Sequence, residues 1–162
     1  RIDGPTTPWF RGEYTATDQD QNTAYHSSFC NLVFKKEIGP MSDLFDITLP
    51  ILLSAVDKQN LQLKDLFRIR IGLVTRTPEP IVHPAHKDYH TPHKTGLYYL
   101  NQADGDTIIY NETKESDKYS VKESIEPKLN RWYNFDGAHY HSSTTPTQTE
   151  KRIVITFNYE TN

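Results

Sequence analysis

The sequence predicts a mainly β fold, a sandwich or a jelly-roll barrel, on three observations. From Phe67 onward, short runs alternate apolar and polar residues with period two. Turn signals separate them: Pro78 and Pro80, Thr91-Pro92, Ala103-Asp104-Gly105, Asp136-Gly137 and Thr145-Pro146. The runs are also numerous, with candidate strands at 67–75, 81–88, 95–101, 106–111, 118–124, 131–136, 139–143 and 152–160, the strand density of a closed or two-layered β architecture.

Residues 1–30 read as polar and irregular, punctuated by Pro5, Pro8 and Gly12, with Trp9 and Phe10 as the anchors onto the body. Ser27 to Lys35 is a short strand. Asp46 to Lys58 has helical periodicity, with Ile47, Ile51 and Ala55 on one face and Pro50 expected in the first turn. Leu61, Leu63 and Leu66 form an apolar lead into the first barrel strand. The charged stretch 112–118 reads as a hairpin tip. This divides a single domain into an N-terminal supporting segment, 1–66, with one or two helices packed on the barrel, and a core, 67–162.

Composition bounds the function. At 162 residues the chain can bury a proper core, and 12% aromatic with 24% charged residues describes an ordinary globule. A net charge of −3 gives no general attraction to nucleic acid. Cys30, the one cysteine, excludes an internal disulfide and points to a reducing, cytoplasmic compartment. There is no run of membrane-spanning length and no signal peptide. The chain opens at Arg1 without an initiator Met, as expected of a trimmed piece of a slightly longer protein.

Chemistry concentrates at Ile81 to Asn101. His83, His86, His90 and His93 fall within eleven residues. In His86-Lys87-Asp88 the first and third side chains of an extended segment point the same way, so an imidazole nitrogen and a carboxylate oxygen can meet one ion. A second histidine from a distant strand would complete a 2-His-1-carboxylate set, the donor pattern suited to Fe(II) with open coordination positions. The last strand carries the second signal. Its alternation sets Arg152, Val154, Thr156 and Asn158 on one face and Ile153, Ile155, Phe157 and Tyr159 on the other. Both faces hold apolar residues, so the strand is expected to be central, with the 46–58 helix outside and a cavity inside. Arg152 either meets an anion in that cavity, where a bare guanidinium is costly, or lies outward in a surface ion pair. His141 follows Asp88 by 53 residues and precedes Arg152 by eleven.

HxD, then a distal His, then an Arg one strand-turn-strand later resembles the Fe(II)- and 2-oxoglutarate-dependent oxygenases across residues 67–160. Leu97-Tyr98-Tyr99-Leu100-Asn101 is similar to the YYLN strand of the prolyl 4-hydroxylase branch. Phe135-Asp136-Gly137-Ala138-His139-Tyr140-His141, Arg152 to Tyr159, and Pro8-Trp9-Phe10 resemble the small oxygenases of phages and marine bacteria. The resemblance implies a double-stranded β-helix, a jelly-roll or cupin-like barrel with iron at one mouth. It implies His86, Asp88 and His141 as metal ligands, Arg152 on the distal carboxylate of 2-oxoglutarate, and Tyr99 helping there, while Tyr98 is core. His139 shares the phase of His141, but the family's ligand follows Phe-Asp-Gly by four positions, which is His141. The remaining histidines fall to the loop or rim, with His90 and His93 near the mouth. Arg68, Arg70 and Arg76 divide evenly between solvated charges and a substrate role.

The implied reaction is hydroxylation with O2, releasing succinate and CO2, with ascorbate as reductant and a peptidyl or prolyl residue as favoured substrate. The alternatives are a small-molecule or nucleobase substrate, or a non-catalytic cupin-like metal-binding module. Two departures bear on this. Val154 stands where some branches carry Ser or Thr, and Asn158 and Tyr159 stand where the nucleic-acid demethylating branch has a further arginine, which argues against an alkylated base.

Overall fold

The computed structural model describes residues 7–12 and 28–162, so expectations for the rest of the N-terminal segment, including its part in a lid, lie outside the described residues. In chain order the elements are β1 (Phe10–Gly12), β2 (Ser28–Lys35), β3 (Gly39–Pro40), α1 (Phe45–Asp57), β4 (Leu63–Thr75), β5 (Lys94–Tyr99), β6 (Thr107–Tyr110), β7 (Val121–Ile125), β8 (Trp132–Asp136), β9 (His141–Ser143) and β10 (Lys151–Thr161). All pairings are antiparallel. One sheet runs β1-β2-β4-β10-β5-β8 with β3 on β2, and a smaller one runs β7-β6-β9. The mainly β, jelly-roll double-stranded β-helix is the result.

β10 is central, between β4 and β5. Its Ile153, Ile155, Phe157 and Tyr159 join Ile69 and Ile71 of β4, Val33 of β2, and Leu52 and Val56 of α1 in one core. Val154, on the opposite face, packs with Leu97, Tyr99, Ile109, Ile125 and Phe135 in a second core inside the barrel. Each such buried aliphatic or aromatic side chain contributes about 1.5–3 kcal/mol. The period-two pattern thus sorts β10 between a helix-covered exterior and a lined interior.

Four local differences from the sequence reading have physical causes. β4 starts at Leu63, so the expected apolar lead belongs to the strand itself and pairs with β10 as far as Thr161. The stretch 81–88 is not a strand. Pro80 and Pro84 remove ladder donors, and the segment forms no continuous ladder with the smaller sheet, only the isolated bridges Val82–Thr144 and His86–His141. α1 is the one helix among the described residues, and Pro50 falls in its second turn rather than its first, removing the donor for the Asp46 carbonyl. Of the N-terminal anchors only Trp9 packs against the core, while Phe10 is 65% exposed. Among the described residues no helix is long and apolar enough to cross a membrane.

Candidate metal centre

Backbone pairing creates the site. The His86 N–H donates to the His141 carbonyl at 2.9 Å, and the His141 N–H returns to the His86 carbonyl at 2.9 Å, so a loop residue and the first residue of β9 face each other. Their rings lie 4.5 Å apart. Two residues after His86, Asp88 points to the same place: its oxygens are 4.0 Å from His86 Nε2 and 3.9 Å from His141 Nε2. One donor atom from each of the three lies within 4.8 Å of the others. Separations near 4 Å exceed a hydrogen bond yet suit three donors sharing one ion.

The donor chemistry fits a divalent metal. The His86 Nδ1–H donates to the Pro84 carbonyl at 3.2 Å, which leaves the Nε2 lone pair for coordination. Burial, followed by the neighbouring His86, pushes the His141 pKa down to about 4, so this imidazole is neutral and able to ligate at pH 7. Burial alone would raise Asp88, but Arg68 and then the two histidines outweigh it and hold the carboxyl well below the usual range. Arg68 Nη2 donates to Asp88 Oδ1 at 2.5 Å and Asn158 Nδ2 to Oδ2 at 2.8 Å. Arg68 Nε also donates to Asn158 Oδ1 at 2.9 Å, and Asn158 Nδ2 reaches Thr95 Oγ1 at 3.2 Å. The carboxylate is therefore held on both oxygens.

Arg152 lines the same cavity and is 3% exposed. Its Nη2 donates to Thr107 Oγ1 at 2.5 Å, which also accepts from Tyr99 O–H at 2.8 Å, and its carbon Cζ sits 5.6 Å from the Tyr99 ring centre. Its Nε is buried with no partner. Burial pushes its pKa down. A guanidinium this enclosed, tied to a neutral hydroxyl, has no anion to balance it among the residues bonded to it, the setting in which a ligand carboxylate would be held strongly. Thr107 supplies from β6 the hydroxyl that Val154 lacks.

The other candidates are placed as follows. His139 lies outside the triad, its Nε2 accepting from Lys122 Nζ at 2.9 Å. His83 and His93 are interior, 2% and 6% exposed, rather than rim residues. His83 Nδ1 bonds the Ser143 hydroxyl at 2.8 Å, and His93 packs on Tyr89. His90 and Arg76 are exposed. Arg70 lines the cavity beside the triad. Tyr98 packs against the outer core. The sequence reading assigned Thr107, Thr95 and Asn158 no part in holding the metal ligands or Arg152. For Thr107 the available signal was its period-two match with Ile109.

No family model and no curated protein matches the sequence. Among solved structures, an oxidoreductase of the 2OG-Fe(II) oxygenase family from Burkholderia pseudomallei superposes with a TM-score of 0.64 at 14% identity, over 94% of this chain and 73% of that one. A prolyl hydroxylase from Trichoplax adhaerens, in complex with a hypoxia inducible factor oxygen degradation domain peptide, superposes at 0.55 with 16% identity, over 93% and 70%. The likeness shows the fold: this chain is built on the double-stranded β-helix that these oxygenases share.

Proposed function

We propose that the protein is an Fe(II)- and 2-oxoglutarate-dependent dioxygenase that hydroxylates a peptidyl residue, proline first among the candidates. One observation carries the reading. A 2-His-1-carboxylate set and a buried, anion-seeking arginine share one cavity, and a metal-binding module without catalysis has no need of the arginine. His86, Asp88 and His141 hold the metal. Arg152 grips the distal carboxylate of 2-oxoglutarate, with Thr107 and Tyr99 fixing the plane of the guanidinium. Leu97 and Val154 wall the space between and limit water. An Fe(II) held by these three residues, with 2-oxoglutarate and O2, would supply the chemistry for putting one oxygen atom into a substrate C–H bond and the other into succinate, with loss of CO2.

The peptidyl preference rests on the Leu97-to-Asn101 strand and its resemblance to the prolyl-hydroxylase branch. A neighbour solved with a peptide makes that class the first to test. The experiment is anaerobic addition of Fe(II) and then 2-oxoglutarate, followed by O2 and proline-containing peptides. A visible charge-transfer band is expected in the wild type and not in Arg152→Met, with peptide-dependent succinate release after oxygenation. Absence of the band with metal bound would overturn the oxygenase reading. A band with succinate released by free amino acids or nucleobases, and no response to peptides, would overturn only the substrate class.

A further inference from the structure

Two guanidinium groups line the candidate cavity and a third, Arg68, holds the acid in its lining, and only two of the three have an evident task. Arg68 and Arg70 share the inward phase of β4, since Ile69 and Ile71 between and beyond them belong to the outer core, and Arg152 enters from β10. Arg68 is spent on Asp88, and Arg152 is tied to Thr107 at the other end. Arg70 lines the cavity half-buried, with neither a hydrogen bond nor an ion pair to any other side chain among the described residues. Its cross-strand neighbours are Thr156 of β10 and Leu32 of β2, neither of them anionic. Among the described residues Asp88 is the one acid in the cavity lining, and both its oxygens are occupied by Arg68 and Asn158. Among the described residues nothing neutralises Arg70.

Position separates Arg70 from the cosubstrate arginine. Arg152 pairs across from Val74, four residues along β4 from Arg70, or about 13 Å at the rise of an extended strand. Arg70 stands instead two residues along β4 from Arg68, whose guanidinium meets Asp88, and opposite Leu32 of β2, whereas the β2 residues that line the cavity, Ser28 and Phe29, pair with Val74 and Leu73 at the Arg152 end. On the reading above, 2-oxoglutarate is held by Arg152 and the metal, so both its acidic ends are engaged without Arg70.

We infer that Arg70 recognises a carboxylate carried by the primary substrate, at a peptide's C-terminus or on an acidic side chain next to the reacting residue. A planar guanidinium open on its fork binds a carboxylate through two parallel hydrogen bonds. The assignment rests on the oxygenase reading and gives its substrate an anionic end.

The test uses the full chain loaded with Zn(II) in place of Fe(II) and saturated with 2-oxoglutarate, so that binding is read by calorimetry without turnover. The probes are N-acetylalanylproline as the free acid, the same dipeptide as its C-terminal amide, and N-acetylglutamylproline amide. At least one acid-bearing probe is expected to bind about tenfold or more tightly than the plain amide, one bidentate pair's worth of selectivity. Which acid wins distinguishes a C-terminal from a side-chain carboxylate. Arg70→Met should abolish the preference, and Arg70→Lys should keep part of it. Equal binding of acid and amide, or a preference surviving in Arg70→Met, overturns the inference. So does loss of 2-oxoglutarate binding in Arg70→Met, which would make Arg70 a cosubstrate residue. Failure of the wild type to take up Zn(II) and 2-oxoglutarate overturns the oxygenase reading itself, while uptake without acid preference overturns only the role of Arg70.

Discussion

The side chain on which the centre turns is Asp88. A carboxylate near two imidazoles and an arginine could swing toward any of them. Arg68 and Asn158 prevent this by holding one oxygen each. Asn158 is 0% exposed and also leans on Thr95, so its amide is itself fixed. Groups that orient a ligating carboxylate typically change metal affinity 10–100-fold when removed. Asn158→Leu is therefore expected to weaken Zn(II) or Co(II) binding by about that factor in a calorimetric titration, with a thermal melt confirming a folded protein. Unchanged affinity in a folded variant would show that Arg68 alone orients Asp88. Which residues share a face was legible in the sequence, because period two reads directly along a strand, as for Arg152 with Asn158, and along an extended loop, as for His86 with Asp88. That Asn158 serves Asp88, or that Thr107 lies against Arg152, was not. Those pairs depend on β10 lying between β4 and β5 and on one sheet facing the other, long-range facts that no local pattern encodes.

Among the elements, the connection before β10 shows how a loop is set without regular structure. Asp104 accepts five hydrogen bonds, from the backbone N–H groups of Thr147, Gln148 and Thr149 and from the hydroxyls of Thr147 and Thr149. This pins the turn that feeds Arg152 into the barrel. Desolvation works against ionisation, but the donated bonds outweigh it and depress the Asp104 pKa well below its ordinary value. The sign follows. The folded state keeps this carboxylate charged at a pH where the unfolded chain has taken up a proton, so the stabilisation is complete above about pH 4 and is lost as pH falls further. Asp104→Asn should cost about 1–2 kcal/mol at pH 7, allowing for solvent screening of an exposed site. The gap to wild type should narrow below pH 4 in urea midpoints measured from pH 2 to 7. A gap independent of pH would mean that the charge on Asp104 contributes nothing. Turn signals at Asp104-Gly105 and Thr145-Pro146 were readable as turns, but their mutual attachment was not, since 43 residues separate Asp104 from Thr147. The 81–88 stretch failed for a related reason: its residues favour a strand, while its prolines forbid the ladder that would make it one.

For the molecule as a whole, the site is an interface between its two sheets. The proposed metal donors come from a loop and from β9 of the smaller sheet, while the groups that orient them come from β4, β5 and β10 of the larger. A ligand bound there bridges both layers and so stabilises the folded state by mass action. At 100 times its dissociation constant, Zn(II) with 2-oxoglutarate is expected to add about 2.7 kcal/mol, a rise of roughly 5–10 °C in the melting midpoint for a chain of this size. Asp88→Ala should show no rise, and an equal rise in that variant would place the ion elsewhere. The two reciprocal hydrogen bonds between His86 and His141 then carry a consequence for time rather than for structure. Each histidine is the other's backbone partner, so parting of the loop from β9 spreads both imidazoles in one movement. Opening of those two hydrogen bonds would dismantle the proposed centre at once, so the lifetime of the donor set is tied to local unfolding of this loop.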